Sequence, residues 1–146
     1  MTKVVAGFPG VGKSVLSKNS NLNVLDSDSS KFSWIEPGVR HPDFPQNYIN
    51  HIKVNIGVAD IILVSSHDVV RKALAESGIE YYLVYPDISL KEEYLDRYRQ
   101  RGNDEKFIAL LKSKWEEFIL SIEEETFPTL LKLSSNQYLS DVIGGE

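Results

Sequence analysis

The 146-residue chain contains no cysteine. That excludes disulfides, thiolate metal sites and a cysteine nucleophile, and it suits a reducing, cytoplasmic compartment. Long hydrophobic runs are missing as well. The longest candidate, Ile56–Val64, is short and carries Asp60, against the roughly 18 apolar residues of a membrane span. The first residues read directly into a strand, which leaves no room for a signal peptide. Positive charge is in deficit, with 16 Lys and Arg against 21 Asp and Glu and a net charge of −5. A surface of that sign argues against broad duplex-DNA binding but permits a small anion held in a local basic pocket. Repeats, low-complexity tracts and interdomain linkers are absent, so residues 1–146 read as one domain. Apolar residues make up 42% and charged residues 25%, an ordinary globular balance.

What is present is concentrated near the start. Gly7-Phe8-Pro9-Gly10-Val11-Gly12-Lys13-Ser14 matches the pattern G-x-x-x-x-G-K-[ST]. The glycines permit backbone turns that a Cβ would block, so successive N–H groups can face phosphate oxygens. Lys13 would reach the β- and γ-phosphates, and the Ser14 hydroxyl would ligate Mg²⁺. A helix opening at Lys13 and running through Val15 would set its positive dipole end beneath the anion. The short run Lys3–Ala6 supplies the strand that such a loop should follow. The expected nucleotide-binding set is therefore Gly7, Pro9, Gly10, Val11, Gly12, Lys13, Ser14 and Val15.

Apolar runs alternate with helical patterns along the rest of the chain. Leu22–Leu25 predicts a second strand, followed by a polar, Pro-rich passage from Asp26 to Pro45. Pro45 suits a helix start, with Tyr48, Ile49, Ile52 and Ile56 at helical spacing. Ile61–Val64 predicts a strand buried on both faces. Asp68 suits a helix cap ahead of Val70, Ala73 and Leu74, with Gly78 as the stop. Tyr81–Tyr85 predicts the next strand, and Ser89-Leu90-Lys91-Glu92 a capping box. Gly102-Asn103-Asp104 divides that helix from another whose apolar stripe is Phe107, Leu111, Trp115, Phe118 and Ile122. Leu130–Leu133 predicts a last strand and Tyr138–Ile143 a closing helical turn. The β-α-β-α order implies α/β architecture, a parallel sheet with helices on both faces.

Ligands of an open α/β sheet sit beyond the carboxyl ends of the strands, which makes residues there candidates. Asp26-Ser27-Asp28 follows the second strand. One carboxylate, Asp26, can hold Mg²⁺ through water, while Asp28 orients or deprotonates an acceptor hydroxyl. Asp68 is the alternative metal carboxylate. Arg97 and Arg101, four apart, share a helix face and can place cations over a transferring phosphoryl group, in a short lid segment near residues 97–104. Arg40 and Arg71 can grip an acceptor phosphate, and Trp34 can stack on a base or anchor the core. Ser134–Gln137 follows the last strand and can flank the base.

On the Gly7–Ser14 loop, Asp26-Ser27-Asp28 and the Arg97/Arg101 segment, the chain resembles the small P-loop kinases. That superfamily contains nucleoside monophosphate kinases, shikimate kinase, gluconate kinase and polynucleotide kinase. It is also similar to short adenylate-kinase-like ATP-binding proteins of phage genomes. The resemblance implies a three-layer α/β/α fold with a parallel sheet of about five strands, binding of ATP with Mg²⁺, and γ-phosphoryl transfer. Two departures bear on the acceptor. The third strand leads into Ser65-Ser66-His67-Asp68 with only a later Arg71, and the lid has no metal-binding insert. The Asp-x-Asp is closer to the shikimate-kinase pattern, where one carboxylate contacts the acceptor hydroxyl. Three readings follow: a (deoxy)nucleoside monophosphate kinase, a kinase of an alcohol acceptor (sugar, nucleoside, modified base or polynucleotide end) using Asp28, or an ATP-binding switch that transfers nothing. No N-K-x-D segment is present, which argues against a guanine-specific switch.

Overall fold

The computed structural model of the chain describes residues 2–12, 23–27, 34–36 and 39–142, with backbone only at 34–36, 39–40 and 140. Lys13, Ser14, Val15 and Asp28 lie outside the described residues. Among the described residues the strands are β1 (Lys3–Gly7), β2 (Val24–Asp26), β3 (Trp34–Glu36), β4 (Val39–Arg40), β5 (Ile61–Ser65), β6 (Tyr82–Pro86) and β7 (Thr129–Leu133). The helices are α1 (Gln46–Asn55), α2 (Asp68–Glu76), α3 (Lys91–Gln100), α4 (Glu105–Glu123) and a single turn, α5 (Leu139–Val142). Five strands form one parallel sheet in the order β2-β5-β1-β6-β7, so the α/β class expected from the sequence is present. β3 and β4 form a separate antiparallel pair inside the Pro-rich passage, where no strand was expected.

Burial explains why β5 and β1 occupy the middle. Ile61, Ile62, Leu63 and Val64 are all buried, although successive side chains of a strand point to opposite faces. Both faces of the sheet are therefore covered, as a continuous apolar run requires. On one flank α4 lays Leu111, Trp115, Ile119 and Ile122 into the core. The stripe differs by one position from the expected one: Ile119 turns inward, while Phe118 is 36% exposed. Trp115 packs edge-on against Phe8, centroids 5.4 Å apart, and lies 5.7 Å from Tyr94 of α3. Its indole N–H donates to Ile88 O at 2.8 Å, so the largest core side chain is also satisfied.

Several element ends move by a residue or a cap. β2 begins at Val24 rather than Leu22, and β6 runs over Tyr82–Pro86 rather than Tyr81–Tyr85. Asp68 is the first residue of α2 and not its cap, which is His67. Ahead of α3, Asp87 rather than Ser89 is the capping side chain. It accepts from Ser89 N at 2.9 Å and Ser89 Oγ at 2.8 Å and supports a short 3₁₀ turn over Ile88–Leu90. Asp104 caps α4 through Lys106 N at 2.9 Å.

The topology locates a crevice. From β1 the chain moves past β5 to reach β2, whereas from β5 it moves the other way, past β1, to β6. The direction of travel across the sheet therefore reverses between these two strands. The carboxyl ends of β1 and β5 are thus a switch point, where open α/β sheets bind ligands. Gly7 and Ser65 stand opposite each other at that edge.

Candidate functional site: the glycine loop at the switch point

The loop after β1 is held from outside. Phe8 N donates to Val84 O at 2.9 Å, and Val11 N closes a turn on Phe8 O at 3.2 Å. Three successive carbonyls are then bound by elements distant in sequence. Tyr98 Oη donates to Pro9 O at 2.8 Å, Arg97 Nη1 to Gly10 O at 2.8 Å, and Leu139 N to Val11 O at 2.7 Å. A trans peptide sets its N–H opposite its C=O. With the Pro9 and Val11 carbonyls drawn toward α3 and α5, the N–H groups of Gly10 and Gly12 point away from those elements. Among the described residues neither of these two N–H groups meets an acceptor.

Only glycine fits this path at two positions. Gly10 has φ +90° and Gly12 φ +99°. A Cβ at Gly10 would lie 2.9 Å from Tyr98 Cε1, and one at Gly12 would lie 3.1 Å from Tyr138 Cδ1. The glycines that the pattern called for therefore let aromatic rings seat directly against the outer side of the loop. The chemistry of this cradle, two N–H groups on a glycine turn that meet no acceptor among the described residues, fits an anion such as a phosphate. Lys13 and Ser14, the residues expected to complete it, follow directly but lie outside the described residues.

Arg97 is built into the clasp. Its guanidinium lies 4.2 Å from the centroids of both the Tyr94 and Tyr138 rings, and Nη2 meets Glu93 Oε2 at 3.0 Å. Glu93 also accepts from Ser135 Oγ at 2.6 Å and Asn136 N at 3.1 Å. The hydrogen bonds from Ser135 and Asn136, with Arg97 beside them, hold the Glu93 carboxyl below its ordinary pKa. Burial, reinforced by Tyr94, pushes the Tyr98 phenol up, so it stays protonated and keeps donating. Arg97 was expected above the transferring phosphate; in this structure it braces the loop that would hold that phosphate. Arg101 is the C-cap of α3 and exposed. The expected lid is thus the end of a packed helix followed by the turn at Gly102. The bracing tyrosines and Glu93 were missed, although Tyr94, Arg97 and Tyr98 at helical spacing were a visible signal.

On the other flank Asp26 ends β2, level with Leu63 of β5, which is level with Val5 of β1. Two strand spacings, about 10 Å, separate Asp26 from β1. Ser27, next in line, is buried: its N donates to Leu63 O at 2.9 Å, its Oγ lies 2.9 Å from His51 Nε2, and its carbonyl accepts from Tyr48 Oη at 2.6 Å. The middle residue of Asp26-Ser27-Asp28 is therefore a structural anchor to α1. Trp34 and Arg40, both expected at the acceptor, are partners across the β3–β4 pair. No group of three or more His, Cys, Asp or Glu arranged for a metal occurs among the described residues. A magnesium site made from Ser14, Asp26 and phosphate oxygens needs no such group.

A cavity of about 440 Å³ opens beside the loop. Phe8 and Pro9 form one side, Ser66, His67, Asp68 and Arg71 another, and α4 contributes Phe107, Leu110, Leu111, Phe118, Ser121 and Ile122. Arg71 reaches this wall but its guanidinium is already engaged. Nε donates to Ser66 O at 2.9 Å, Nη1 to Glu125 Oε2 at 2.6 Å, and Nη2 to Ser121 Oγ at 3.3 Å. Arg71 was expected to grip an acceptor phosphate; its side chain is 5% exposed and paired with a carboxylate.

No family model matches the chain, and a search of curated proteins finds no match. No helix among the described residues is long and apolar enough to cross a membrane.

Proposed function

We propose that this protein is a P-loop phosphotransferase of three-layer α/β/α type, moving the γ-phosphoryl group of ATP to a small acceptor. The observation that carries the reading is the glycine loop at the switch point, with the N–H groups of Gly10 and Gly12 turned away from the elements that hold its carbonyls. Backbone donors fixed before the ligand arrives stabilise developing charge without reorganising. Lys13 would add a mobile cation at the β- and γ-phosphates. Mg²⁺, held by Ser14 and through water by Asp26, would supply further charge neutralisation. Arg101, exposed at the end of α3, is the arginine left to approach the phosphoryl oxygens. Arg97 acts by keeping the loop in shape.

In the first reading the acceptor is a nucleoside or deoxynucleoside monophosphate. Its ionised oxygen bonds to the γ-phosphorus, the bond from that phosphorus to the bridging oxygen breaks, and ADP leaves with the electron pair. A second reading, transfer to an alcohol, is favoured by the ion pair that occupies Arg71. There the hydroxyl proton passes to the Asp28 carboxylate as the new O–P bond forms.

The test is ADP release from Mg²⁺·ATP with monophosphates, nucleosides, sugars and 5′-hydroxyl oligonucleotides. Stimulation by a monophosphate, with its diphosphate formed, supports the first reading. Stimulation by an alcohol alone, together with a loss of about 10²–10⁴-fold in Asp28→Asn, supports the second. Lys13→Ala should lower either turnover by about 10²–10³-fold while leaving the far-ultraviolet circular dichroism unchanged. Tight ATP binding with no transfer across the panel would replace both with a nucleotide-dependent switch.

A further inference from the structure

We propose that the cavity between the glycine loop and α4 receives the body of the acceptor, and that this body is an uncharged aromatic ring of nucleobase size. The reaction assigned to that acceptor rests on the phosphotransferase reading; the ligand class rests on the cavity itself.

Position comes first. Phe8 and Pro9 are residues of the phosphate-binding pattern, so whatever fills the cavity touches the outer edge of that loop. Part of the lining is the segment just after β5, the strand paired with β1 at the switch point. The lining meets the loop at Phe8 and Pro9 and includes neither Gly10 nor Gly12, whose N–H groups are the backbone donors. The volume, about 440 Å³, falls within the ordinary range for small-molecule sites.

The lining sets the class. Leu110 is 48% exposed and Phe118 is 36% exposed, yet both face this cavity on a helix whose inward stripe is otherwise buried. A flat apolar ring would remove their exposed surface from water. Uncharged polar side chains of the lining are Ser66 and His67 after β5, and Ser121 on α4 itself. They suit the hydrogen-bonding edge of a heterocycle. Charge argues against placing an anion here. The one arginine of the lining is bonded to Glu125, and Asp68 adds a negative charge at the rim. A phosphate drawn into this cavity would lose its hydration with no uncompensated cation among the described lining residues.

The test is calorimetric titration of the full chain with adenosine, thymidine and ribose 5-phosphate, alongside Mg²⁺·ATP. At least one nucleoside should bind, with a negative heat-capacity change, and ribose 5-phosphate should bind more weakly than that nucleoside. Leu110→Trp places an indole across the mouth and should weaken the nucleoside by ~10-fold or more while leaving Mg²⁺·ATP affinity within about twofold. Phe118→Ala, which removes a wall of the cavity, should weaken the same nucleoside and guards against misfolding of the first variant. Absence of nucleoside binding, equal binding of ribose 5-phosphate, or indifference to both variants would overturn the proposal. Failure of wild-type protein to bind Mg²⁺·ATP would instead sink the phosphotransferase reading, and variant-sensitive nucleoside binding would then still support the cavity.

Discussion

Gly10 shows how little freedom a single residue of the loop has. Its φ of +90° disfavours any side chain, and the space a Cβ would need is taken by Tyr98, a fully buried ring. Tyr98 cannot yield easily, because it also packs on Phe107 at 5.2 Å and donates to Pro9 O. Gly10→Ala should therefore distort the loop. Backbone strain of this kind costs about 1–3 kcal/mol, and if it falls on the binding-competent loop, Mg²⁺·ATP affinity drops by about 5- to 150-fold. Isothermal titration of the variant checks this; unchanged affinity would mean that the loop conformation is not the one used for binding. Arg97 and Arg71 make the complementary point. Both were legible as cations near a phosphate site, but the acceptors that engage them, Gly10 O and Glu125, are 87 and 54 residues away.

At the scale of elements, the glycine loop is a product of α3 and the segment after β7 acting together. Glu93 joins them, taking hydrogen bonds from Ser135 and Asn136 on one side and Arg97 on the other. Its folded pKa is depressed, so the carboxylate contributes stability that is fully present above the unfolded value, about 4.3 for glutamate. That contribution is lost as the pH falls through the folded value. Glu93→Gln should lower stability at pH 7 by about 1 kcal/mol, and the difference from wild type should shrink on going to pH 3. Urea unfolding at the two pH values checks it, and a gap that stayed constant would show that charge plays no part. Most helices were readable from their periodicity, since α1, α2 and α4 occur where apolar spacing placed them, and α3 follows the Ser89–Glu92 start signal. Their caps were less so: choosing Asp87 over Ser89 depends on which side chain the folded turn brings to a free N–H. The exchange of Phe118 for Ile119 in the α4 stripe has a similar cause. A cavity on that side leaves Phe118 without core to enter.

For the whole molecule, β5 and β1 are paired with each other in the parallel sheet and carry β2 and β6 on their outer sides. Leu63 of β5 is fully buried between β1 and β2. Leu63→Ala should cost about 2–5 kcal/mol, the usual range for a truncated core leucine. If the chain folds as one unit, the loss appears equally in far-ultraviolet circular dichroism and in tryptophan fluorescence, with coincident transitions. Separated transitions would divide the chain into two units.

The sequence by itself determined the class of fold and the place of the loop. Strand-length apolar runs, helical spacing and the Gly7–Gly12 pattern are local properties, written in consecutive residues. The β3–β4 pair escaped because its two short strands lie in a polar, Pro-rich stretch with little apolar alternation. The tertiary structure alone decided what several of the described candidate side chains contact. It turned Arg97 into a brace, gave Arg71 to Glu125, buried Ser27 against His51 and Tyr48, and opened a cavity between Phe8 and α4. Those outcomes depend on contacts between residues far apart in the chain, and no periodicity or spacing encodes which of several possible partners a long polar side chain will meet.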